Sequence, residues 1–262
     1  MMVKIENLTF GYTKEVIVLN NINFKLEKGD LLTIIGANGS GKSTLFNCIS
    51  GLLNYKKGKI YLSDEDIKKK SRKWISQKMA LVNQIDDIHH NFYVRDYLLM
   101  GRNPYIGFGK TPSKRDYDLV DQVMDQFNID NLADRYFNNL SGGQKQKVKI
   151  ARSIVQDTEL ILLDEPTNHL DIGNQYEIVK IIKSLKKESK TIILTTHSPD
   201  IIEALGGKVG IVSEDGTFKI GEYKDMISER TFYEIYKVPV KKYFSQDLRD
   251  SVLAIDWENS ND

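Results

Sequence analysis

Cysteine is nearly absent from this chain: Cys48 is the single one among 262 residues, so an internal disulfide framework is excluded and a reducing compartment is implied. Cys48 falls in an apolar helical stretch, where a small packing residue is expected rather than a reactive thiol. An excess of charge of one sign is also missing. The 37 Lys and Arg face 36 Asp and Glu, for a net charge of +1, which removes any global electrostatic case for binding nucleic acid. Two local basic clusters, Lys68, Lys69, Lys70, Arg72 and Lys73, and Lys145, Lys147 and Lys149, read as solvated faces. No stretch approaches the ~20 apolar residues that span a bilayer, and the opening MMVKIENLTF lacks the basic-then-apolar layout of a signal peptide. A cytosolic chain is expected, and any membrane part of its work must come from another subunit. Of the 4 histidines, the adjacent His89 and His90 lack metal-ligand spacing. There is no internal repeat and no second phosphate loop.

What is present begins with the run GANGSGKST, Gly36 to Thr44, which fits G-x-x-x-x-G-K-S/T and follows the apolar stretch LLTII. Five consecutive residues of that kind suit a strand buried on both faces of a parallel sheet. Gly36, Gly39 and Gly41 allow the backbone, with Asn38 and Ser40 between them, to approach an anion without a Cβ in the way. The helix opening near Lys42 aims its unpaired N–H groups at the same point. Lys42 then pairs with the β and γ phosphates of a nucleotide, and Ser43 offers its hydroxyl to Mg²⁺, with Thr44 next in the cradle.

At 40% hydrophobic content, the chain can bury the core of one large α/β domain or of a domain carrying an inserted lobe. Alternating segments Met2–Phe10 and Val16–Leu26 read as antiparallel strands, followed by the buried strand Leu31–Ile35, a helix from Lys42 to about Ser50, and strands Gly58–Leu62 and Met79–Asn83. Residues 85–155 change character, with helical spacing at Val94–Met100, Asp116–Phe127 and Gly143–Gln156, and read as an inserted helical lobe. Strand signals return at Leu160, Thr191 and Lys208, alternating with helices at Ile172–Glu188 and Asp200–Leu205, which argues for a mostly parallel sheet. The expected organisation is one domain over residues 1–240 and a C-terminal extension, 241–262, whose fold the pattern leaves open.

The apolar run Leu160–Leu163 ends on Asp164 and Glu165, two carboxylates at the carboxyl end of a buried strand, where open α/β sheets bind ligands. Asp164 is a candidate for Mg²⁺ through its water shell, and Glu165 for the water in line with the γ phosphate. Leu140-Ser141-Gly142-Gly143-Gln144 precedes a helical run and makes a second anion-binding helix start. With one nucleotide loop and two anion sites per chain, two copies about a two-fold axis could each lend Ser141 and Gly143 to the partner's ATP.

In this order the motifs resemble the ATP-binding subunits of ABC transporters, over about Lys4 to Val240. The resemblance implies a P-loop NTPase core of α/β class with an antiparallel β layer and the inserted helical lobe. It implies Tyr12 as the aromatic that stacks on adenine, and Gln84 as the residue that touches Mg²⁺ and relays movement to the membrane subunit. Lys42, Ser43, Ser141, Gly143, Asp164 and Glu165 match phosphate, metal and base positions. Asn168-His169-Leu170-Asp171 resembles the loop across the dimer seam, and His197 the switch histidine beside the γ phosphate. The implied cofactors are ATP and Mg²⁺. The implied partners are transmembrane permease subunits, a second copy of the chain and, indirectly, a substrate-binding protein, which places the chain peripherally on the cytoplasmic face of the cell membrane. Leu98–Tyr105, His169–Gln175 and Tyr236–Val240 look like importers of iron chelates, haem, cobalamin or related metal compounds. TTHSPD and the proline-free GANGSGKST depart from the frequent forms of that group, which keeps molybdate-like oxyanion importers open. The alternative is a soluble ABC ATPase for iron–sulfur cluster assembly, which Leu98–Tyr105 argues against.

Overall fold

The computed structural model describes residues 1–13, 15–83, 91–107, 109–245 and 250–256. Strands β1 (Val3–Phe10) and β2 (Leu19–Leu26) alternate buried and solvent-facing positions and pair antiparallel, from Val3 opposite Leu26 to Phe10 opposite Leu19. That alternation belongs to a sheet with one face on a core. β2 begins at Leu19 rather than at Val16, because Val16 and Ile17 are 58% and 56% exposed and no apolar surface rewards extending the strand to them. After β3 (Leu31–Ile35) come α1 (Lys42–Ile49), β4 (Lys57–Leu62) and the short β5 (Glu65–Asp66). β1, β2, β4 and β5 form a four-stranded antiparallel sheet in the order β2-β1-β4-β5.

Helix α2 (Arg72–Lys78) leads into β6 (Met79–Val82), and the helical lobe follows as α3 (Val94–Leu99), α4 (Lys114–Gln126) and α5 (Gly142–Val155). Each lobe helix lies within two residues of its expected span. Its apolar stripes meet in a core that includes Tyr97, Val120, Phe127, Phe137 and Val148. The chain then runs through β7 (Leu160–Leu163), α6 (Ile172–Lys187), β8 (Thr191–Thr195), α7 (Pro199–Leu205), β9 (Lys208–Val212) and β10 (Phe218–Glu222). α8 (Tyr223–Met226) and α9 (Glu229–Tyr236) follow, and the C-terminal extension whose fold the sequence pattern leaves open contributes to the antiparallel hairpin β11 (Val240–Ser245) with β12 (Asp250–Ile255).

The second sheet has six strands in the order β10-β9-β3-β8-β7-β6, parallel from β9 to β6 with β10 antiparallel at its edge. β3, β7 and β8 are buried at every position, as continuous apolar runs covered on both faces must be. β8 lies between β3 and β7. Because the three are parallel, the loops after Ile35, Leu163 and Thr195 leave the same edge of the sheet side by side.

Candidate functional site

The loop after β3 is held open by its glycines. Gly39 and Gly41 sit at φ 80° and 105°, and a Cβ on Gly41 would meet the side chains of Val18 and Leu19 at 3.0 and 3.2 Å. Lys42 straps the loop from inside, donating from Nζ to the carbonyls of Gly36 at 2.8 Å and Ala37 at 3.0 Å. Burial pushes its ammonium below the usual lysine range, opposed by the carboxylates of Glu165 and Asp164. The Ser40 hydroxyl is buried without a hydrogen-bond partner among the described residues. Such an orphan costs about 1–3 kcal/mol, so the cradle carries polar capacity that an anion can use. Ser43 is exposed beside it, and Thr44 shares a 3.2 Å hydrogen bond with the Tyr12 hydroxyl. Tyr12 stands 65% exposed with its ring perpendicular to Phe10, presenting an aromatic platform next to the start of α1.

On the neighbouring strand ends, Thr195 joins the two carboxylate residues. Its hydroxyl donates to Asp164 Oδ1 at 2.6 Å and accepts the Glu165 backbone N–H at 2.8 Å. Glu165 occupies the left-handed region at φ 47°, a strained conformation for a residue with a Cβ, and such strain gathers at functional sites. Both of its carboxylate oxygens are held. Asn168 Nδ2 donates to Oε2 at 2.8 Å, and His197 Nδ1 lies 3.3 Å from Oε1. The cleft between these groups and the phosphate loop is lined by Ala37, Asn38, Glu165 and His197.

Ser141 caps α5 reciprocally: its hydroxyl accepts the Gln144 N–H at 3.3 Å, and its own N–H donates to Gln144 Oε1 at 3.1 Å. Ser141 and Gly142 are exposed, whereas Gly143 is buried. A Cβ on Gly143 would fall 2.2 Å from the side chain of Asn174, so this glycine is demanded by packing against α6. Asn174 is fixed in turn by Asp171, which accepts its backbone N–H at 2.8 Å and its side-chain amide at 2.6 Å.

A phosphate loop, an acidic strand end, a histidine just past the strand between them and a capped Ser-Gly helix start make one constellation, and the model of the ABC transporter family matches residues 19–168. This chain belongs to the ABC transporter family. It is 34% identical to the molybdate import ATP-binding protein MolC of Haemophilus influenzae over 237 residues, 90% of this chain and 88% of the relative. It is 32% identical to the petrobactin import ATP-binding protein YclP of Bacillus subtilis over 240 residues, 91% and 94% of the two chains. A solved ABC transporter assigned to the metal-chelate type, in an inward-facing conformation, superposes with a TM-score of 0.86 at 31% identity over 97% of this chain and 96% of its own. ATP-binding subunits of this family are ATPases coupled to transport.

In this ABC cassette the structure brings Lys42, Asp164, Glu165 and His197 to one sheet edge, sets Tyr12 beside α1, and leaves Ser141 and Gly142 on an exposed helix start of the lobe. Gln84 lies outside the described residues. Three groups bear on the site in ways the sequence does not give. Thr195 and Asn168 reveal themselves only through hydrogen bonds to the carboxylate residues. Tyr236 comes from a helix that the hydrophobic pattern does not announce.

Proposed function

We propose that this chain is the ATP-hydrolysing subunit of a membrane importer for a metal compound of the iron-chelate, haem, cobalamin or oxyanion kind. The observation that carries the hydrolytic part is the Glu165 carboxylate, gripped through both oxygens by Asn168 and His197 at the strand end beside the phosphate loop. The cargo class is supported by relatives named for molybdate and petrobactin import and by the metal-chelate type of the superposed structure. These are import proteins, which favours transport over the iron–sulfur assembly alternative.

In this reading Tyr12 stacks on the adenine, the amides of Gly36 to Thr44 hold the phosphates with Asn38, Gly39, Ser40 and Gly41 forming the cradle, and Lys42 exchanges its loop carbonyls for the β and γ phosphates. Mg²⁺ needs only one or two protein oxygens when phosphates and waters complete its shell. The Ser43 hydroxyl and the Asp164 carboxylate are hard oxygen donors of that kind, with Gln84 as the third candidate. When bound, the ion neutralises developing phosphate charge. Glu165 polarises the attacking water and His197 stabilises the charge at the γ phosphate. Ser141 and Gly143 act on the nucleotide of a second copy, so two chains close over two nucleotides and change the spacing of the surfaces that grip the permease subunits. Among the described residues no helix is long and apolar enough to cross a membrane. In this reading the chain docks peripherally on the cytoplasmic face through those permease subunits, and a substrate-binding protein acts on it only indirectly.

Replacing Glu165 by Gln keeps the side chain's shape and removes its basicity. The expected outcome is nucleotide binding at wild-type affinity, turnover reduced by about a hundredfold or more, and a dimer that persists in ATP on size-exclusion chromatography. Wild-type turnover in E165Q would remove Glu165 from the base role.

A further inference from the structure

One wall of this cleft comes from outside the phosphate-loop and strand-end motifs. Ile235 and Tyr236, at the end of α9, line the same cavity of about 730 Å³ as Ala37, Asn38, Glu165 and His197. The helix that delivers them is anchored. Phe232 is 2% exposed and packs in one cluster with Ile35, the residue before Gly36, and with Ile202 of α7, the helix that follows His197. The Tyr236 ring stacks on Phe232 with centroids 5.6 Å apart, which leaves its direction little freedom. The phenol is thereby set at the root of the phosphate loop, in one lining with Ala37, Asn38 and Glu165, with its oxygen facing the Gly36 backbone N–H.

The Tyr236 oxygen is buried, and the Gly36 backbone N–H that faces it falls short of a well-formed hydrogen bond, so the hydroxyl is incompletely satisfied among the described residues. Phenylalanine would fill the same space without that desolvation cost, so packing alone does not account for a hydroxyl here. Burial pushes the phenol up to about 12, opposed by the Gly36 backbone N–H, so it remains a neutral hydroxyl whose oxygen can accept from Gly36 at neutral pH. On geometry, Gly36 is the first residue of the phosphate loop and its carbonyl accepts the Lys42 strap. A group lodged between Gly36 and the Glu165 cleft therefore acts on both.

We propose that Tyr236 is a positioning residue of the hydrolytic site, its hydroxyl holding the root of the phosphate loop in register with Glu165 and thereby tying the C-terminal helix to turnover. The inference rests on the reading of Lys42 and Glu165 given above. Its test is steady-state hydrolysis of Mg-ATP by the full-length chain, with Y236F keeping the ring and losing only the hydroxyl. The expected result is a kcat lowered about three- to tenfold, the rate equivalent of one hydrogen bond, with KM within about twofold and an undiminished Tm. Wild-type kcat in Y236F overturns the proposal, and so does a loss of kcat that merely tracks a falling Tm. E165Q run in parallel separates the two levels: wild-type turnover there defeats the reading of the site, whereas wild-type turnover in Y236F alone defeats only the role of Tyr236.

Discussion

Glu165 is held against its own backbone preference, since at φ 47° a residue with a Cβ is strained by about 1–3 kcal/mol. What sustains it is the Thr195 hydroxyl on its N–H and the Asn168 amide on its carboxylate. Asn168→Ala removes a hydrogen bond to a charged group, worth about 1.5–3 kcal/mol, and frees one oxygen to swing. A kcat lowered about tenfold at unchanged nucleotide affinity is the expected outcome, read from Mg-ATP hydrolysis and equilibrium binding of a fluorescent nucleotide. An unaltered kcat would show that His197 alone suffices to aim the carboxylate. At this scale the motif residues are legible in the sequence because their chemistry depends on local spacing: Gly36 to Thr44 need only be consecutive, and Asp164 and Glu165 need only end a buried strand. The hydrogen bonds of Thr195 and Asn168 to these carboxylate residues escape notice for the opposite reason. Their partners lie across a strand or around a tight turn, and Thr and Asn are ordinary residues in both settings. Cys48 behaves as its setting requires, being fully buried with burial pushing its thiol up to about 12.

Between residue and molecule, the stretch Leu98–Tyr105 works as a clasp for the lobe. Gly101 lets the chain pass so close to α5 that a Cβ would lie 2.6 Å from the Arg152 carbonyl. Arg102 donates to Asp116 Oδ1 at 2.8 Å and to the Val155 carbonyl at 2.9 Å, and lies over the Tyr105 ring at 4.1 Å. Tyr105 in turn donates to the backbone beneath β6 and β7, at Gln77 and Asp157. The hydroxyl of Ser113 and the guanidinium of Arg102 hold the Asp116 carboxyl down to about 2. Because this folded value is depressed below the ordinary ~3.9, the contribution is complete above that range and is lost as pH falls toward 2. Asp116→Ala strands the buried Arg102 and is expected to lose about 3–5 kcal/mol in urea unfolding at pH 7. Its stability should also fall less steeply than that of the wild type between pH 4 and 2. A wild-type midpoint at pH 7 would contradict the clasp. The helices of the lobe are readable from their 3.6-residue stripes, but the clasp is not, because its contacts join α4 and α5 to residues far apart in sequence. α9 is hidden differently: of its eight residues only Phe232 is buried, too few to mark a stripe.

Two features of the whole molecule bear on the proposed dimer. The Ser141 end of α5 is exposed, and it is locked through Gly143, Asn174 and Asp171 to the loop whose Asn168 holds Glu165. A surface that met nothing would have no use for a rigid link to the Glu165 carboxylate. If each nucleotide lies between Lys42 of one copy and Ser141 of the other, the defects K42A and S141R sit on opposite sides of a shared site. Each variant alone has both sites of its dimer damaged. In a mixed dimer, one site collects both lesions and the other collects none. Mixing the two inactive proteins in equal amounts should then restore roughly a quarter of the wild-type hydrolysis, since about half the dimers are mixed and each has one intact site of two. The measurement is phosphate release from the mixture against each variant alone. If every site were built within a single chain, no proportion of the two proteins would recover activity, and the shared arrangement would fall while the Lys42 and Glu165 assignments stood.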